Sequence, residues 1–371
     1  YLHLRLFSYI YLLVMVIWWL KIRGVPTFSL KQVKKLTIDP LLLLIIGVGV
    51  VVQLITVWFI GYQTAQGLTF CCFWPDSFYH VALIRELTTT FPPQEPGMSG
   101  VFVRNYHYLA NLVVADLVRV FRLSLIPTQN QFMPIAISLL LAGAVTVTGQ
   151  MLSKKRAFTR WLVFLIFFSG DIIFLLVAML GQGLRFDITV SENATTLWFS
   201  PPRMYALMIL FGAFAIFLTW IKERNLKLAL VLGIFIGSLV GFKIYLGFFA
   251  FAGLGLVSLY FILKRDWQGV IPLVTGGILA AALYLPINTG AGGLFFSGLW
   301  RIDNYAVRPE LGLLSFTLAK QVYEEHHNTI RVVLIELFFF GLYAFSLFGV
   351  FSLGLKKKKK SLKQFPIVFH L

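Results

Sequence analysis

The 371-residue chain is 58% hydrophobic and only 13% charged, and apolar runs of about 17 or more residues recur along it, each long enough to cross a bilayer. A formal net charge of +17 would point to nucleic acid in a water-soluble chain. Here Lys and Arg cluster in short connectors beside the apolar runs, where they act as topology signals. Cys71 and Cys72 are neighbours, which rules out an unstrained disulfide between them and any metal-ligand spacing.

In chain order the apolar runs cover 4–20, 40–60, 132–152, 161–180, 203–221, two short crossings within 228–263, then 269–286 and 331–353. Counted this way, the basic connectors KIRGVPTFSLKQVKK, SKKRAFTR, KERNLK, KRDW and KKKKK all fall on one side, which the positive-inside rule makes the cytoplasm. The fold class expected is an all-α polytopic membrane protein with about nine or more transmembrane helices, forming a single integral membrane domain over 1–371. Its start at Tyr1 and its end in SLKQFPIVFHL read as those of a fragment. A large first extracytoplasmic loop, 61–131, holds juxtamembrane helices, and further outer loops span 181–202 and 287–330.

Residues 107–123 are apolar enough to tempt a further crossing, but a crossing there would put SKKRAFTR on the wrong side. On a 100° helical wheel His107, Asn111, Arg119 and Arg122 share roughly a third of the circumference, the pattern of a helix lying in the membrane surface. Between KERNLK and KRDW an even number of crossings must fit in fewer than forty residues. The turn then falls at GFKIYLG and sets Lys243 at the outer interface, the depth of a lipid phosphate; the plainer reading is a lysine that snorkels to the headgroups. Asp171 is an ionisable residue within an apolar run and a functional candidate on that ground.

The first outer loop carries CCFWPDSFYHVALIREL at 71–87. Asp76 follows a proline at the start of a helical pattern, which suits a helix N-cap as well as a catalytic carboxylate. His80 lies four residues on, on the same helix face. Two such ligands without a third make a weak metal signal, so no cofactor is expected and a divalent metal is only a secondary option. EEHH at 324–327 reads as solvated charge. No GxGxxG, Gly-Lys phosphate loop, HExxH or internal repeat is present.

The order of these features, an aspartate opening a long first outer loop (WPDSFYHVALIREL), a surface helix after Tyr-His-Tyr (NYHYLANLVVADLVRVF) and a span ending in SKKR, resembles the GT-C class of integral-membrane glycosyltransferases. The resemblance implies a mannosyl-, arabinosyl- or oligosaccharyltransferase-like enzyme that draws on a polyprenyl-phosphate-linked sugar donor on the non-cytoplasmic face. It places the catalytic acid at Asp76. Many members have two adjacent acids there; Ser77 follows Asp76, so a second carboxylate would come from Asp116, Asp171, Asp187 or Glu192.

Chemistry supports the same residues. A sugar leaving a lipid phosphate departs from an anion that needs no proton, so an inverting transfer asks for one base and for cations beside the phosphate. Asp76 is the candidate base. Lys243, Arg203, Arg301 and Arg308 are the candidate phosphate contacts, with His80, His107 and Asp171 as further substrate-binding candidates. The partners implied are the lipid-linked donor, a lipid, glycan or protein acceptor, and the membrane, with no nucleic acid; the location implied is the plasma membrane of a prokaryote, with the site extracytoplasmic. The alternative is a transporter or flippase of lipid-linked sugars, although such proteins gather binding groups at mid-membrane and often repeat their halves.

Overall fold

The computed structural model describes residues 39–55, 57–70, 75–169, 198, 200–288 and 314–328, with scattered positions in 9–21 and 330–341. The chain is mostly helical and divides into two compact units, Tyr1–Phe168 with Thr195–Ala291, and Ser169–Ala194 with Gly292–Leu371.

In the first unit α1 (Pro40–Ile55) opens at Asp39, whose carboxylate accepts from the Leu42 N–H at 3.3 Å. The same carboxylate takes two bonds from Arg160, at 2.8 and 2.9 Å. The apolar run expected to stay helical to residue 60 stops at Ile55 and turns into an antiparallel hairpin, β1 (Ile60–Thr64) and β2 (Gly67–Phe70). Buried amides from a later helix steady that turn: Gln131 donates to the Trp58 carbonyl at 2.8 Å, and Asn130 to the Ile60 carbonyl at 3.1 Å. Backbone carbonyls freed where a helix ends must find such donors when water is excluded.

The outer loop continues with α2 (Pro75–Thr89), a second hairpin, β3 (Gln94–Glu95) and β4 (Met98–Phe102), and α3 (Leu109–Phe121). Two small hairpins therefore interrupt a loop expected to be helical apart from plain breaks. TTTFPPQEPGMSG is rich enough in Pro and Gly to hide two very short strands inside a turn signal.

Four described helices are long and apolar enough to cross a membrane: α4 (Leu125–Leu152), α6 (Pro201–Glu223), α8 (Ile244–Leu263) and α9 (Trp267–Tyr284). α1 and α7 (Leu226–Phe242) are shorter apolar helices, and α5 (Arg156–Phe168) packs with α1 and α4. Most of the runs 4–20 and 331–353, and the end of 161–180, lie outside the described residues. α3 is a separate amphipathic helix laid against α2 and against α6 and α7, with one face buried through Ala110, Val114 and Ala115.

Small residues set the helix crossings. A Cβ on Gly233 would come within 2.7 Å of the Pro272 carbonyl oxygen, and one on Gly237 within 2.6 Å of that of Gly276. α7 and α9 thus pack backbone to backbone, as small residues spaced four apart allow in a membrane. At one end of these helices Arg224 pairs with Asp266 and lies over Trp220 and Phe261, 4.7 and 4.0 Å from the ring centroids.

The second unit's described part is α10 (Leu314–Glu325). Lys320 and Glu324 pair along it at 3.6 Å, and Glu324, Glu325, His326 and His327 are exposed at its end.

Candidate functional site

The site lies at the end of α6, α7 and α8 opposite the Arg224–Asp266 pair. α7 stops at Phe242, Lys243 is extended (φ −158°, ψ 103°), and α8 starts at Ile244. The break falls where the short crossings required it, and it holds Lys243 beside the first turn of α6. There Lys243 Nζ donates to Ser200 Oγ at 3.2 Å. Pro201 and Pro202 fix the start of α6, and Arg203 follows them with only 7% of its surface exposed.

α2 brings the acid. Pro75 and Asp76 occupy its first turn, so Asp76 is inside the helix rather than its N-cap, with its carboxylate exposed and favourably placed against the helix dipole. One turn later His80 is buried, 3% exposed. Asn111 of α3 fixes its state: Asn111 Nδ2 lies 3.3 Å from the His80 carbonyl oxygen, which can only accept, and 3.0 Å from His80 Nδ1. The amide nitrogen is the donor in both, so Nδ1 accepts and the imidazole proton sits on Nε2. Burial holds the His80 pKa down to about 4, with Asp76 opposing and Lys243 adding to the effect. His107 is likewise lowered to about 4, by burial, then by Lys243 and His80. Burial and the Arg203 charge lower Lys243, while Asp76 raises it.

These influences group Asp76, His80, His107, Arg203 and Lys243: an exposed carboxylate, two neutral imidazoles, a buried guanidinium and a part-buried ammonium. Asp171, Arg301 and Arg308, and also Asp187 and Glu192, lie outside the described residues. Asp116 pairs with Arg119 on α3. Asn111, expected on a polar stripe facing headgroups, is 2% exposed and serves His80 instead.

Three groups were not legible beforehand. Trp198 and Tyr205, each 2% exposed, stack in series with Phe242 at 6.1 and 5.8 Å. The Trp198 indole N–H and the Tyr205 hydroxyl have no hydrogen-bond partner among the described residues, and buried donors of this kind call for an acceptor. Glu95 of β3 accepts from the Tyr79 hydroxyl at 3.4 Å, and Tyr79, Tyr106 and His107 form a run of ring contacts at 5.2 and 4.9 Å. Trp198, Tyr205 and Glu95 carried no signal in sequence, because their contacts form only on folding.

Beside the site a cavity of about 410 Å³ runs between β4, α3, α7 and α9, lined by Phe91, Phe102, Leu109, Gly241, Leu283 and Ile287 among others, with Arg104 its one charged wall residue. Among the described residues no three of His, Cys, Asp and Glu gather as a metal site. No protein family, curated protein or solved structure matches the chain.

Proposed function

We propose that the chain is an inverting membrane glycosyltransferase of the GT-C kind, moving a sugar from a polyprenyl-phosphate donor to an acceptor hydroxyl at the extracytoplasmic face. The observation that carries the reading is the contact of Lys243 with Ser200, three residues before Arg203 at the start of α6, with Asp76 at the start of α2 acting on Lys243, away from the Arg224–Asp266 pair. The acceptor oxygen attacks the anomeric carbon while Asp76 takes its proton. The bond from that carbon to the phosphate oxygen breaks, and the lipid phosphate leaves as an anion met by Lys243 and Arg203. Neutral His80 offers its Nε2–H without adding a competing positive charge. The apolar cavity beside Tyr108 and Leu109 suits the first isoprene units of a donor tail.

Purified protein in lipid, supplied with radiolabelled polyprenyl-phosphate sugars, tests the reading. Transfer by the wild type is expected, with a fall of about a hundredfold or more in Asp76→Asn and donor binding retained. Transfer that survives the substitution assigns the base to another carboxylate. If the wild type forms no product yet labelled lipid changes leaflet, the chain is a flippase and the transferase reading fails.

A further inference from the structure

The Tyr79, Tyr106 and Glu95 group differs in chemistry from the cations. The Tyr79 and Tyr106 rings meet nearly edge to face, at 5.2 Å and 76°, and Tyr106 stacks on His107 at 4.9 Å and 15°. Both tyrosines and Glu95 are half-buried. Glu95 is held by the hairpin of β3 and β4, whose turn Gly97 makes at φ +104°. Its contact with the Tyr79 hydroxyl is long, and among the described residues no Lys or Arg forms an ion pair with it. Among the described residues this leaves carboxylate capacity beside an aromatic surface.

We infer that Tyr79, Tyr106 and Glu95 form a subsite for a sugar ring, the aromatic surface taking its C–H face and the Glu95 carboxylate accepting from its hydroxyls. A sugar needs this combination, because its ring carbons are apolar on one face while its hydroxyls remain strong donors. An organic cation also fits an aromatic ring beside a carboxylate, but Lys243 acts on both His80 and His107, the latter stacked on Tyr106, and opposes a further positive charge there. Tyr79 lies on the same helix as Asp76, three residues on, and the Tyr106 hydroxyl pKa is raised by burial first, then by Tyr79, Asp76 and Glu95. A sugar seated there brings a hydroxyl or an anomeric carbon toward the candidate base.

This inference rests on the transferase reading for its purpose but not for its measurement. The probe is a panel of free methyl glycosides, pyranose and furanose, observed by saturation-transfer NMR on the purified protein in nanodiscs. Saturation transfer to the ring protons of at least one glycoside is expected. Glu95→Gln should weaken that glycoside about tenfold, and Tyr106→Leu should abolish the signal. Thermal melts confirm that each variant is folded, and Glu95→Gln, conservative and at a half-buried position, carries the test if Tyr106→Leu is not. Competition in the transfer assay separates the sources: a glycoside competitive with the acceptor marks an acceptor subsite, and one competitive with the lipid donor marks the seat of the donor sugar. The inference is overturned if no glycoside binds, or if Glu95→Gln binds as tightly as the wild type. A wild type that binds glycosides without transferring sugar keeps the subsite and loses the transferase reading. Transfer by Glu95→Gln with unchanged donor and acceptor KM does the reverse.

Discussion

Asn111 gives its amide hydrogens to the carbonyl and the Nδ1 of one residue, His80, and the neutral imidazole it holds has a consequence for stability. His80 and His107 have folded pKa values near 4 against about 6.5 in an unfolded chain. A group depressed on folding stabilises above its unfolded pKa and loses that contribution as pH falls through its folded one. Each histidine should contribute on the order of 3 kcal/mol at neutral pH, fading between about pH 6.5 and pH 4. Thermal melting in detergent at pH 7.5, 5.5 and 4.5 should show the midpoint falling with pH, and His107→Gln should flatten that dependence; equal slopes in the two proteins would contradict it. At this scale the sequence was partly readable. Asp76 and His80 share a helix face by spacing alone, and the Pro-Asp pair marks a helix start, although Asp76 proves to lie inside the helix and not at its cap. Glu95 and Asn111 could not be assigned: one sits in a turn-rich segment and the other on a polar face read as turned to the headgroups, and their roles arise from contacts 16 and 31 residues distant.

Among the elements, the break at Lys243 was the most legible, because two basic connectors and a bilayer thickness leave only one place for a turn. The hairpins were the least legible, since strands of two to five residues carry too few side chains for alternation to register. How α3 reaches the site depends on a close approach invisible to pattern: a Cβ on Gly241 would come 1.8 Å from Leu109 Cδ1 and 2.9 Å from its Cγ. Leu109 sits two residues before Asn111, so this contact helps set the distance between the His80 pair and the Lys243 break. Gly241→Ala should force Leu109 out of its position and cost about 1–3 kcal/mol. Leu109→Ala removes the obstructing atoms, leaving its own Cβ at an ordinary 3.4 Å, so the double variant should lose less than the sum of the two single changes. Melting midpoints of the four proteins measure the coupling, and strict additivity would mean that the two residues do not meet.

For the molecule as a whole the question is which end of the helices faces the cytoplasm. The ends of α5, α6, α7, α8 and α9 next to Lys154, Arg224 and Lys264 carry the basic connectors, and two of them are tied by ion pairs, Arg160 with Asp39 and Arg224 with Asp266. The opposite ends carry Arg203 and Lys243, the hairpins and α2. On the proposed topology the positive-inside bias puts the first set in the cytoplasm, and the α3 segment then has to stay on the outer surface for the count to hold. Replacing Cys71 and Cys72 with serine removes the native thiols, after which single cysteines at exposed positions report the sides. Lys154→Cys and Lys264→Cys should react with a membrane-impermeant maleimide only in inverted vesicles, and Gln66→Cys and Met98→Cys, the latter 60% exposed in the wild type, only in right-side-out ones. Labelling of 66 and 98 on opposite sides would require α2 or its flanks to cross. Labelling of 98 and 154 on the same side would turn α3 into a crossing and move Asp76 away from Lys243, removing the site together with the topology. The expected pattern leaves Asp76, Lys243 and Arg203 facing a single compartment, the only arrangement in which a proton acceptor and the cations for a departing lipid phosphate can act on one substrate.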